Sequence, residues 1–379
     1  MPDIIDLFAG AGGLSLGASR AGFNVVAAVE LDSHAIASHI TNFPHSIHIQ
    51  EDIMKLDGNA LSKLAGINSN DLIGIIGGPP CQGFSSIGHG NINDTRNQLF
   101  EKFFSIIEQL KPAFFVAENV PGIMNPKYDF IRNKAFSHVQ DYCLLPPISI
   151  NASDYGAPTT RTRYFFIGFR AHPSIRPFTI SDIEYMKVTP NNQTRVQAAL
   201  EGIPANIHFS RNSNGIKKLL ADYYNPNIQH IQSDFFYQRV TAMRPQGIGN
   251  NEYIRRYETR HEVNGCFPTK HTDSVRRRYA RLAYGQQDRI SKSTRLNPQG
   301  FCPTLRAGTG PDKGSFQAVR PIHYQYPRVI TPREAARLQG FPDWYKLPDT
   351  IWHSFRQIGN SVSPIVAEQI LRVIFQKLT

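Results

Sequence analysis

The chain has 379 residues and a formal net charge of +11, from 41 Lys and Arg against 30 Asp and Glu. Hydrophobic residues make up 41% and charged residues 19%, a composition that excludes an intrinsically disordered protein. At roughly 100–200 residues per domain, the length predicts one large domain or two. A chain of this size buries enough apolar surface to need no disulfide bonds. No apolar run approaches the roughly eighteen residues that a membrane-spanning helix requires.

The N-terminus and the cysteines indicate a cytoplasmic protein. An acidic start, Met1-Pro2-Asp3, runs directly into a strand pattern, so we expect no secretory signal peptide. The cysteines are few and far apart in sequence, which predicts neither a disulfide framework nor a metal cluster. They are Cys81, Cys143, Cys266 and Cys302. This pattern is typical of a reducing compartment.

Strand and helix patterns alternate through the first part of the chain. In chain order they predict a strand at Asp3–Phe8, a helix at Gly13–Ala21, a strand at Phe23–Glu30, a helix at Ser33–Asn42 with Ser33 as N-cap, a strand at Leu72–Ile76, a helix at Leu99–Leu110 and a strand at Ala113–Ala117. This rhythm predicts a parallel sheet covered by helices. Another strand is expected at Arg163–Phe169 and a terminal helix at Ile365–Leu378. Residues 171–320 read as loops and short elements.

Charge is distributed unevenly along the chain. Residues 1–150 carry 9 basic and 14 acidic residues, whereas residues 151–379 carry 32 and 16. The densest basic stretch, 239–306, holds 14 basic and 5 acidic residues. Its mixture of arginine and tyrosine is typical of a nucleic-acid surface, because arginine pairs with phosphates and reads guanine edges. A solvated basic surface is the alternative interpretation.

A glycine-rich turn joins the first predicted strand to the first predicted helix. Residues 6–13, DLFAGAGG, allow a ligand to approach the backbone closely. Glu30 follows about 20 residues later, where nucleoside-binding α/β folds place a carboxylate for ribose hydroxyls. The spacing does not fit G-x-G-x-x-G, so a dinucleotide is not favoured, and a tight turn without a ligand is the alternative. Asp52 suits an adenine contact or, taken alone, a turn or cap.

A cysteine lies in a proline-stiffened turn after a buried strand. Residues 77–85 read GGPPCQGFS and place Cys81 at the carboxyl end of that strand, which suits a nucleophile. An inert core cysteine is the alternative. Glu118 follows the next strand, so we expect it at the same edge of the sheet, where open α/β folds bind ligands. A thiolate beside a carboxylic acid suits addition to an electron-poor ring, with protonation of a ring nitrogen.

Six segments, in this order, resemble the DNA (cytosine-5) methyltransferases of bacterial restriction-modification systems. They are DLFAGAGGLSLG at 6–17, GGPPCQGFS at 77–85, ENV at 118–120, NASDYGAPTTRTRYFFIG at 151–168, RVITPREAARLQGFPD at 328–343 and QIGNSVSP at 357–364. The resemblance covers roughly 1–170 and 300–379, and the basic stretch falls where the family carries its variable target-recognition segment. One departure is Thr159, which stands where the family usually has glutamine in Pro-Gln-x-Arg-x-Arg. Any role of that glutamine is therefore in doubt here.

The resemblance implies a Rossmann-like, S-adenosylmethionine-dependent methyltransferase fold with a second, smaller and irregular target-recognition domain. We expect the catalytic and cofactor-binding domain at 1–175, completed by 350–379, and the target-recognition domain at 176–349. The implied cofactor is S-adenosylmethionine, without a metal. The implied partner is double-stranded DNA, and we expect a monomer that is functionally paired with a restriction endonuclease.

The resemblance also implies a reaction. The Cys81 thiolate would add to carbon 6 of a cytosine and make carbon 5 nucleophilic. Glu118, kept protonated by burial, would hydrogen-bond N3. Arg161 and Arg163 would hold the base carbonyl and a neighbouring phosphate. Because the target carbon is stacked inside the duplex, the base must flip out, and residues 82–98 are the expected lid.

Further contacts are implied for the cofactor and for DNA. The adenine ring of the cofactor would pack against Phe8, and its ribose would bind Glu30. The adenine amino group would contact Asp52. The full set expected at the cofactor is Phe8, Ala9, Gly10, Gly12, Gly13, Leu14, Glu30, Leu31, Asp52, Ile53, Pro80, Asn360 and Ser361. The set expected at DNA is Ser85, Arg255, Arg256, Arg276, Arg277, Arg278 and Arg306.

Two other functions compete with DNA methylation. The first is methylation of tRNA, because a branch of the family that resembles the tRNA methyltransferases shares the same core. That branch typically has Pro-Phe-Thr after Cys-Gln and a Cys-Phe-Thr signature, whereas this chain has Gly83-Phe84-Ser85 and no Cys-Phe-Thr. The second is a catalytically inactive DNA-binding relative. The presence of Cys81 and Glu118 with both arginines argues against it.

Overall fold

Strands alternate with helices through the first 119 residues of the computed structural model. The structure describes residues 1–68, 71–80, 98–204, 207, 215–219, 235–307 and 319–378. The strands are β1 (Asp3–Leu7), β2 (Asn24–Val29), β3 (Ile47–Ile49), β4 (Leu72–Gly77), β5 (Phe114–Asn119), β6 (Cys143–Leu144), β7 (Ile148–Asn151), β8 (Thr162–Phe169), β9 (Lys217–Lys218) and β10 (Glu262–Val263).

The described α-helices form a regular set before residue 140, vary from three to ten residues between 180 and 280, and include the longest one, α13, at the C-terminus. They are α1 (Gly13–Ala21), α2 (Ser33–Asn42), α3 (Gly58–Ala65), α4 (Gln98–Leu110), α5 (Asp129–Phe136), α6 (Ile180–Glu184), α7 (Val196–Leu200), α8 (Phe235–Tyr237), α9 (Asn251–Arg260), α10 (Asp273–Ala280), α11 (Pro332–Gln339), α12 (Ile351–Asn360) and α13 (Pro364–Lys377). A π-helix, Gln238–Ala242, continues α8. Among the residues described, no helix is long and apolar enough to cross a membrane.

The first five strands form the parallel sheet that the sequence predicts. Their order is β3-β2-β1-β4-β5, and every neighbouring pair is parallel. The register aligns Leu7 at the end of β1 with Gly77 of β4, and Gly77 with Ala117 of β5. The loops after these strands therefore emerge at one edge of the sheet, the carboxyl edge. The sequence predicts this common edge for the two motifs at 77–85 and 118–120.

The sheet is completed by antiparallel strands. β8 pairs antiparallel with β5, and both β6 and β7 pair with β8. In this register Glu118 lies opposite Phe165 and Asn119 opposite Tyr164. Because β8 runs against β5, the start of β8 meets the end of β5 at the carboxyl edge. The alternation of strands and helices predicted only parallel pairing and gave no signal for this reversal.

Both faces of the sheet are buried, which the near-continuous apolar strands require. Adjacent apolar residues of β1, β4, β5 and β8 point to opposite clusters, as Ile4 and Ile5 of β1 do. One cluster contains α1 and α13, which pack closely against each other. The other contains α4 with its phenylalanines and packs against α5. The C-terminal helix thus completes the layer that α1 begins.

Helix boundaries follow local capping chemistry. The helix α2 spans the predicted residues, but its N-cap is Asp32 and not Ser33, since the Asp32 carboxylate accepts from the backbone N–H groups of His34 and Ala35 at 3.1 and 2.9 Å. The terminal helix is Pro364–Lys377, one residue earlier at each end than predicted. Proline at its first position suits a helix N-terminus because its missing N–H would have no partner there.

The segment before α12 links the two halves of the chain. Every residue of α11 is buried, and Thr331 with Glu334 forms a capping box at its start. The guanidinium of Arg333 is 0% exposed and donates to Asn264 Oδ1 at 2.8 Å and to the Tyr345 carbonyl at 2.7 Å. This motif therefore works as a packed connector between residues of the basic stretch and those near the C-terminus.

Candidate active site

The glycine turn is held open by backbone geometry. Phe8, Gly10 and Gly12 all have positive φ, at 62°, 57° and 84°, a conformation that glycine adopts without steric cost. A side chain at Gly10 would meet no atom within 4 Å, whereas one at Gly12 would lie 2.4 Å from the ring of Phe43. The turn is therefore packed on one side and open at Gly10, as a loop that receives a ligand must be.

Glu30 closes this turn from the end of β2. The Gly10 N–H donates to Glu30 Oε2 at 2.9 Å, and the Asp32 N–H donates to Oε1 at 2.8 Å. Burial raises the pKa of Glu30, and the hydrogen bonds from Asp32 and Gly10 oppose that rise. Glu30 is half-buried. The sequence separation of 20 residues thus translates into direct contact between the predicted acid and the predicted turn.

The residues expected at the cofactor divide into exposed and buried sets. Leu31 is 63% exposed, Asn360 is exposed, and Phe8, Gly10, Glu30, Asp52 and Pro80 are half-buried. The buried members are Ala9, Gly12, Gly13, Leu14, Ile53 and Ser361. Asp52 caps the 3-10 helix Ile53–Lys55 by accepting from Met54 N–H at 3.0 Å. Its local role is thus the cap that the sequence allowed.

The last motif packs directly on the start of α1. A side chain at Gly13 would lie 2.4 Å from the Val362 carbonyl oxygen and 3.2 Å from Ser361 Cβ. The absence of a side chain at Gly13 therefore lets the turn after α12 approach the glycine turn. The Ser361 carbonyl accepts from Gln339 Nε2 at 2.9 Å, which ties the same turn to α11.

Arg163 and Glu118 form an ion pair at the carboxyl edge. Arg163 Nε lies 2.8 Å from Glu118 Oε1, and the two side chains are 15% and 10% exposed. A side chain at Gly78 would lie 3.2 Å from the other carboxylate oxygen of Glu118. Because β8 is antiparallel to β5, an arginine from one motif meets the acid of another here. The pair faces the backbone that leads into Cys81.

Arg161, two residues earlier, has different surroundings. It is 3% exposed, and its guanidinium donates to the Gly359 carbonyl at 2.9 Å and to the Leu305 carbonyl at 3.3 Å. A longer contact of 3.5 Å reaches the Asn360 carbonyl. Arg161 therefore joins its own motif to the last motif and to the chain at Leu305 through backbone carbonyls, whereas Arg163 faces the acid.

Asn119 and Thr159 hold neighbouring loops in place. Asn119 Nδ2 donates to the Pro79 carbonyl at 3.3 Å, so the end of β5 fixes the prolines that precede Cys81. Thr159 is 0% exposed, and its hydroxyl donates to the Cys302 carbonyl at 3.0 Å. The residue that replaces the family glutamine thus anchors this segment to the chain near 302. Cys81, Ser85 and the expected lid as far as residue 97 lie outside the described residues.

A buried polar chain runs beneath the glycine turn. Ser15 Oγ donates to Asp6 Oδ2 at 2.5 Å and lies 2.9 Å from His39 Nε2. His39 Nδ1 lies 2.9 Å from His48 Nε2. Burial raises the pKa of Asp6 to about 7, which the hydrogen bond from Ser15 opposes and the Glu30 charge reinforces. Burial also lowers the pKa of His39 well below its ordinary value, so this histidine is neutral.

The arginines expected at DNA have two kinds of surroundings. Arg256 pairs with Glu262 at 2.8 Å, and Arg278 pairs with Asp288 at 2.7 Å. The remaining arginines of the set are exposed: Arg255, Arg276, Arg277 and Arg306. The tyrosines among them are mostly core residues, since Tyr253, Tyr257 and Tyr279 are buried and Tyr284 is 54% exposed. The sequence pattern of mixed arginine and tyrosine therefore overstates the exposed aromatic surface.

Two contributors to the site had no assigned role in the sequence. Tyr345 is 1% exposed, and its hydroxyl donates to the Ala11 carbonyl in the glycine turn. Tyr345 lies two positions after the sixteen-residue motif that ends at 343. An aromatic residue at that position does not indicate which distant residue it contacts. Asp6 belongs to the first motif. The only signal in the sequence for its burial beneath the turn is the apolar strand in which it lies. Within the described ranges, no three His, Cys, Asp or Glu residues are arranged to hold a metal.

The edge therefore combines an open glycine turn, a half-buried acid below it and an ion-paired carboxylate beside the turn that leads to a cysteine. Comparison with known proteins identifies this arrangement. The family described as C-5 cytosine-specific DNA methylase matches residues 3–376, so the chain belongs to that family. It is accordingly a DNA (cytosine-5) methyltransferase, and its substrate is DNA.

Individual relatives share most of their length with this chain. The type II methyltransferase M.XorII of Xanthomonas oryzae pv. oryzae is 38% identical over 387 residues, which cover 98% of this chain and 85% of the relative. M.DdeI of Desulfomicrobium norvegicum, another type II methyltransferase, is 32% identical and covers 97% and 87%. The similarity is therefore not confined to the motifs.

Solved structures agree in fold. An E. coli prophage-encoded protein, provisionally assigned as a DNA modification methyltransferase, has a TM-score of 0.85 at 46% identity and covers 100% of this chain and 99% of its own. The S. pombe Dnmt2 methyltransferase has a TM-score of 0.63 at 16% identity and covers 99% of both chains. The second similarity shows the fold alone. The Rossmann-like methyltransferase fold expected from the sequence is thereby confirmed.

Proposed function

We propose that this enzyme transfers a methyl group from S-adenosylmethionine to carbon 5 of a cytosine within a specific duplex sequence, through a covalent adduct with Cys81. The observation that carries this proposal is the Arg163–Glu118 ion pair at 2.8 Å, beside the backbone that leads into Cys81. Carbon 5 of cytosine is a weak nucleophile by itself. An acid and an arginine at the carboxyl edge are the groups needed to change that.

The reaction begins with addition to the ring. The sulfur of Cys81 forms a bond to carbon 6, and the electron pair of the carbon 5–carbon 6 double bond makes carbon 5 nucleophilic. The Glu118 carboxylate, which Arg163 holds in the free enzyme, takes up a proton in the reacting complex and shares it with N3, while Arg163 offsets the negative charge that develops on the base. After carbon 5 has gained the methyl group, its proton passes to water, the electrons of that carbon–hydrogen bond restore the carbon 5–carbon 6 double bond, and the sulfur leaves carbon 6 as the Cys81 thiolate. The target base is flipped out of the duplex to reach these groups.

The two arginines have different roles in this scheme. Arg163 acts at the base, because it already contacts Glu118. Arg161 is a positioning residue, because its guanidinium holds the backbones of Gly359, Leu305 and Asn360. The pairing of β5 with β8 joins these roles, since it fixes Arg163 beside the acid.

The open glycine turn fits a nucleoside cofactor. A side chain at Gly10 would meet nothing within 4 Å, while Glu30 holds the turn from the side. Phe8 and Leu31 offer partly or largely exposed apolar surface for an adenine ring, and Glu30 offers carboxylate oxygens for ribose hydroxyls. Asn360 is exposed at the end of α12 for a further contact. When bound there, S-adenosylmethionine supplies an electrophilic methyl group.

We further propose a division of labour along the chain. Residues 1–175 and 350–379 would carry catalysis and cofactor binding, and residues 176–349 would recognise DNA. Exposed Arg276 and Arg277 on α10 would contact phosphates. Contacts also cross the boundary, since the Tyr345 hydroxyl donates to the Ala11 carbonyl. The two parts would therefore move together during the reaction.

The biological setting proposed is a restriction-modification system. Both relatives compared above are named type II methyltransferases. A cytoplasmic monomer, functionally paired with a restriction endonuclease, would protect the cell's own DNA by methylating the sites that the nuclease cuts.

The direct test is transfer of labelled methyl groups from S-adenosylmethionine to plasmid DNA and, in parallel, to tRNA. The proposal expects DNA to be labelled by the wild type and not by Cys81→Ser. Labelling confined to tRNA would contradict the DNA assignment. Equal rates of DNA labelling by both proteins would contradict the role of Cys81, and cofactor binding without turnover on any DNA would favour an inactive relative.

The cofactor assignment has its own test. In Glu30→Ala, the turn loses its acceptor and the ribose its carboxylate, so S-adenosylmethionine should bind about 10–100-fold more weakly by calorimetry. The matched control is Glu108→Ala, whose acid is exposed near the end of α4 and pairs with His138 at 2.6 Å. Unchanged affinity in Glu30→Ala would exclude the proposed ribose contact.

A further inference from the structure

A cluster of three arginines and one glutamate joins α1, α13 and the π-helix. Arg239 forms a bidentate pair with Glu368 at 2.7 and 2.9 Å, and Arg372 contacts the same carboxylate at 2.5 Å. Arg20, from the last turn of α1, donates through Nη2 to the Arg239 carbonyl. Among the residues that the structure describes, Glu368 is the acid of this cluster: two guanidiniums contact its carboxylate, and the third, that of Arg20, bonds to the Arg239 carbonyl.

Arg20 is left with unmet hydrogen-bonding capacity. It is 8% exposed, and its Nε and Nη1 atoms are buried without a hydrogen-bond partner in the described part of the chain. Burial lowers the pKa of Arg20 to about 10, an effect that Glu368 opposes and Arg239 reinforces. The guanidinium nevertheless stays charged at neutral pH. Buried donors without partners, on a charged group, point to a ligand or ordered solvent.

The balance of charge favours an anion over water. Arg239 is 5% exposed and Glu368 0%, so the positive excess is poorly solvated. Water could satisfy N–H groups but would leave the net charge in place, and uncompensated buried charge is costly. Arg372, with 34% of its side chain exposed, gives the cluster access to solvent. A small ion could therefore enter beside it.

The cluster is remote from the proposed reaction. The helix α1 begins at the glycine turn and ends near Arg20, about seven residues or roughly 10 Å further along the helix axis. An anion there would contact neither the cofactor nor the flipped base. It would instead hold α1 against α13 and against the chain that enters the basic stretch.

We propose that a small inorganic anion of the size of chloride binds beside Arg20 and balances the charge of the cluster formed by Arg20, Arg239, Arg372 and Glu368. The anion is a structural ligand. It accepts hydrogen bonds from the Nε and Nη1 groups of Arg20 and is attracted by the positive charges of Arg239 and Arg372, which Glu368 only partly balances. A monatomic ion meets these donors with the least displacement of the packed helices.

The first experiment measures melting temperature as chloride replaces gluconate at constant sodium concentration. We expect the wild type to gain roughly 2 °C or more with chloride, because a ligand of the folded state stabilises it. In Arg20→Met, the donors and one positive charge are gone, so the chloride dependence should disappear. Arg176→Met is the matched control, since Arg176 is exposed and donates to the backbone of the same helix at 3.2 Å. It should keep the full response.

The second experiment does not depend on a variant that folds. Crystals of the wild type grown in bromide should show an anomalous scattering peak within hydrogen-bonding distance of Arg20 Nε or Nη1. The absence of an anomalous peak at Arg20, with a water molecule bound there instead, would overturn the proposal. An equal chloride response in the wild type and Arg20→Met, or no response in the wild type, would do so as well.

Discussion

The carboxyl edge of the sheet and the basic stretch at 239–306 use charged residues in opposite ways. At the edge, few charges are present, and each has a partner fixed by strand register or by the backbone, as Glu118 has Arg163 and Glu30 has the Gly10 N–H. In the basic stretch, many arginines follow one another, and the structure divides them into paired and exposed groups.

The difference teaches that net charge is a poor measure of a DNA-binding surface. Arg239, Arg256 and Arg278 contribute to the positive count of the stretch, but each is held by a carboxylate of the same chain. Arg276 and Arg277 are exposed on α10. A DNA phosphate can recruit the second group freely, whereas using the first group would break an ion pair.

The largest effect is expected from separating the two arginines of the Arg-x-Arg motif. Arg163→Ala should lower the rate of methyl transfer roughly 100–1000-fold at temperatures where the variant is still fully folded, since Arg163 acts on the developing charge. Arg161→Ala should lose roughly 2–4 kcal/mol of stability, because the buried carbonyls of Leu305 and Gly359 lose a charged donor. Single-turnover rates and melting curves measure both. The same pattern of loss in both variants would contradict the division of roles.

The next effect concerns the buried acid beneath the glycine turn. The folded-state pKa of Asp6 is raised to about 7 from 3.8. A carboxyl with a raised pKa contributes stability that is complete below about pH 4 and is lost as the pH rises through 7. Asp6→Asn keeps a neutral group of the same shape and should lack this loss. Between pH 5 and 8 the wild type should lose about 2–3 kcal/mol more unfolding free energy than Asp6→Asn.

Urea unfolding at intervals across that pH range measures the difference. His39 titrates in both proteins, and its contribution has the opposite sign, since burial lowers its pKa and that contribution is lost as the pH falls. Parallel curves for the two proteins would show that Asp6 is ionised in the folded state, contrary to this account.

The sequence predicted the carboxyl edge well because its signals are local. The glycine turn, Glu30 and the strand before Cys81 are each read within a few residues, and parallel strands bring their ends to one edge. The contact between Arg163 and Glu118 was not predicted, because the family resemblance placed both residues at the target base without pairing them with each other. Its physical cause, the antiparallel pairing of β8 with β5, depends on a turn of the chain that alternating strands and helices do not encode.

Contacts between distant segments were not predictable. Tyr345 reaches Ala11, and Arg161 reaches Gly359, across more than half the chain. Arginine gives the same signal in a sequence whether it is buried against carbonyls or exposed to solvent. The basic stretch could therefore be located from composition, but its working arginines could not be separated from its structural ones.

The smallest effect tests that separation at α10. Replacing Arg276 and Arg277 together by alanine should reduce the slope of log affinity against log salt concentration by about 2, or 0.9 per phosphate contact. Arg278→Ala should leave the slope nearly unchanged and lower the melting temperature instead, since Arg278 pairs with Asp288. Fluorescence anisotropy with duplex DNA over a salt series measures these slopes. Equal slopes in all three proteins would place the DNA surface elsewhere.

The central claim is cytosine-5 methylation at a specific duplex sequence through Cys81. It is tested most directly by bisulfite sequencing of DNA from cells that have no other cytosine methylation and that express either the wild type or Cys81→Ser. We expect the cytosine of one short sequence motif to be protected from conversion in cells that express the wild type. In cells that express Cys81→Ser, the same cytosine should be converted. Protection that is equally complete in the Cys81→Ser cells, or the lack of any protected motif with the wild type, would contradict it.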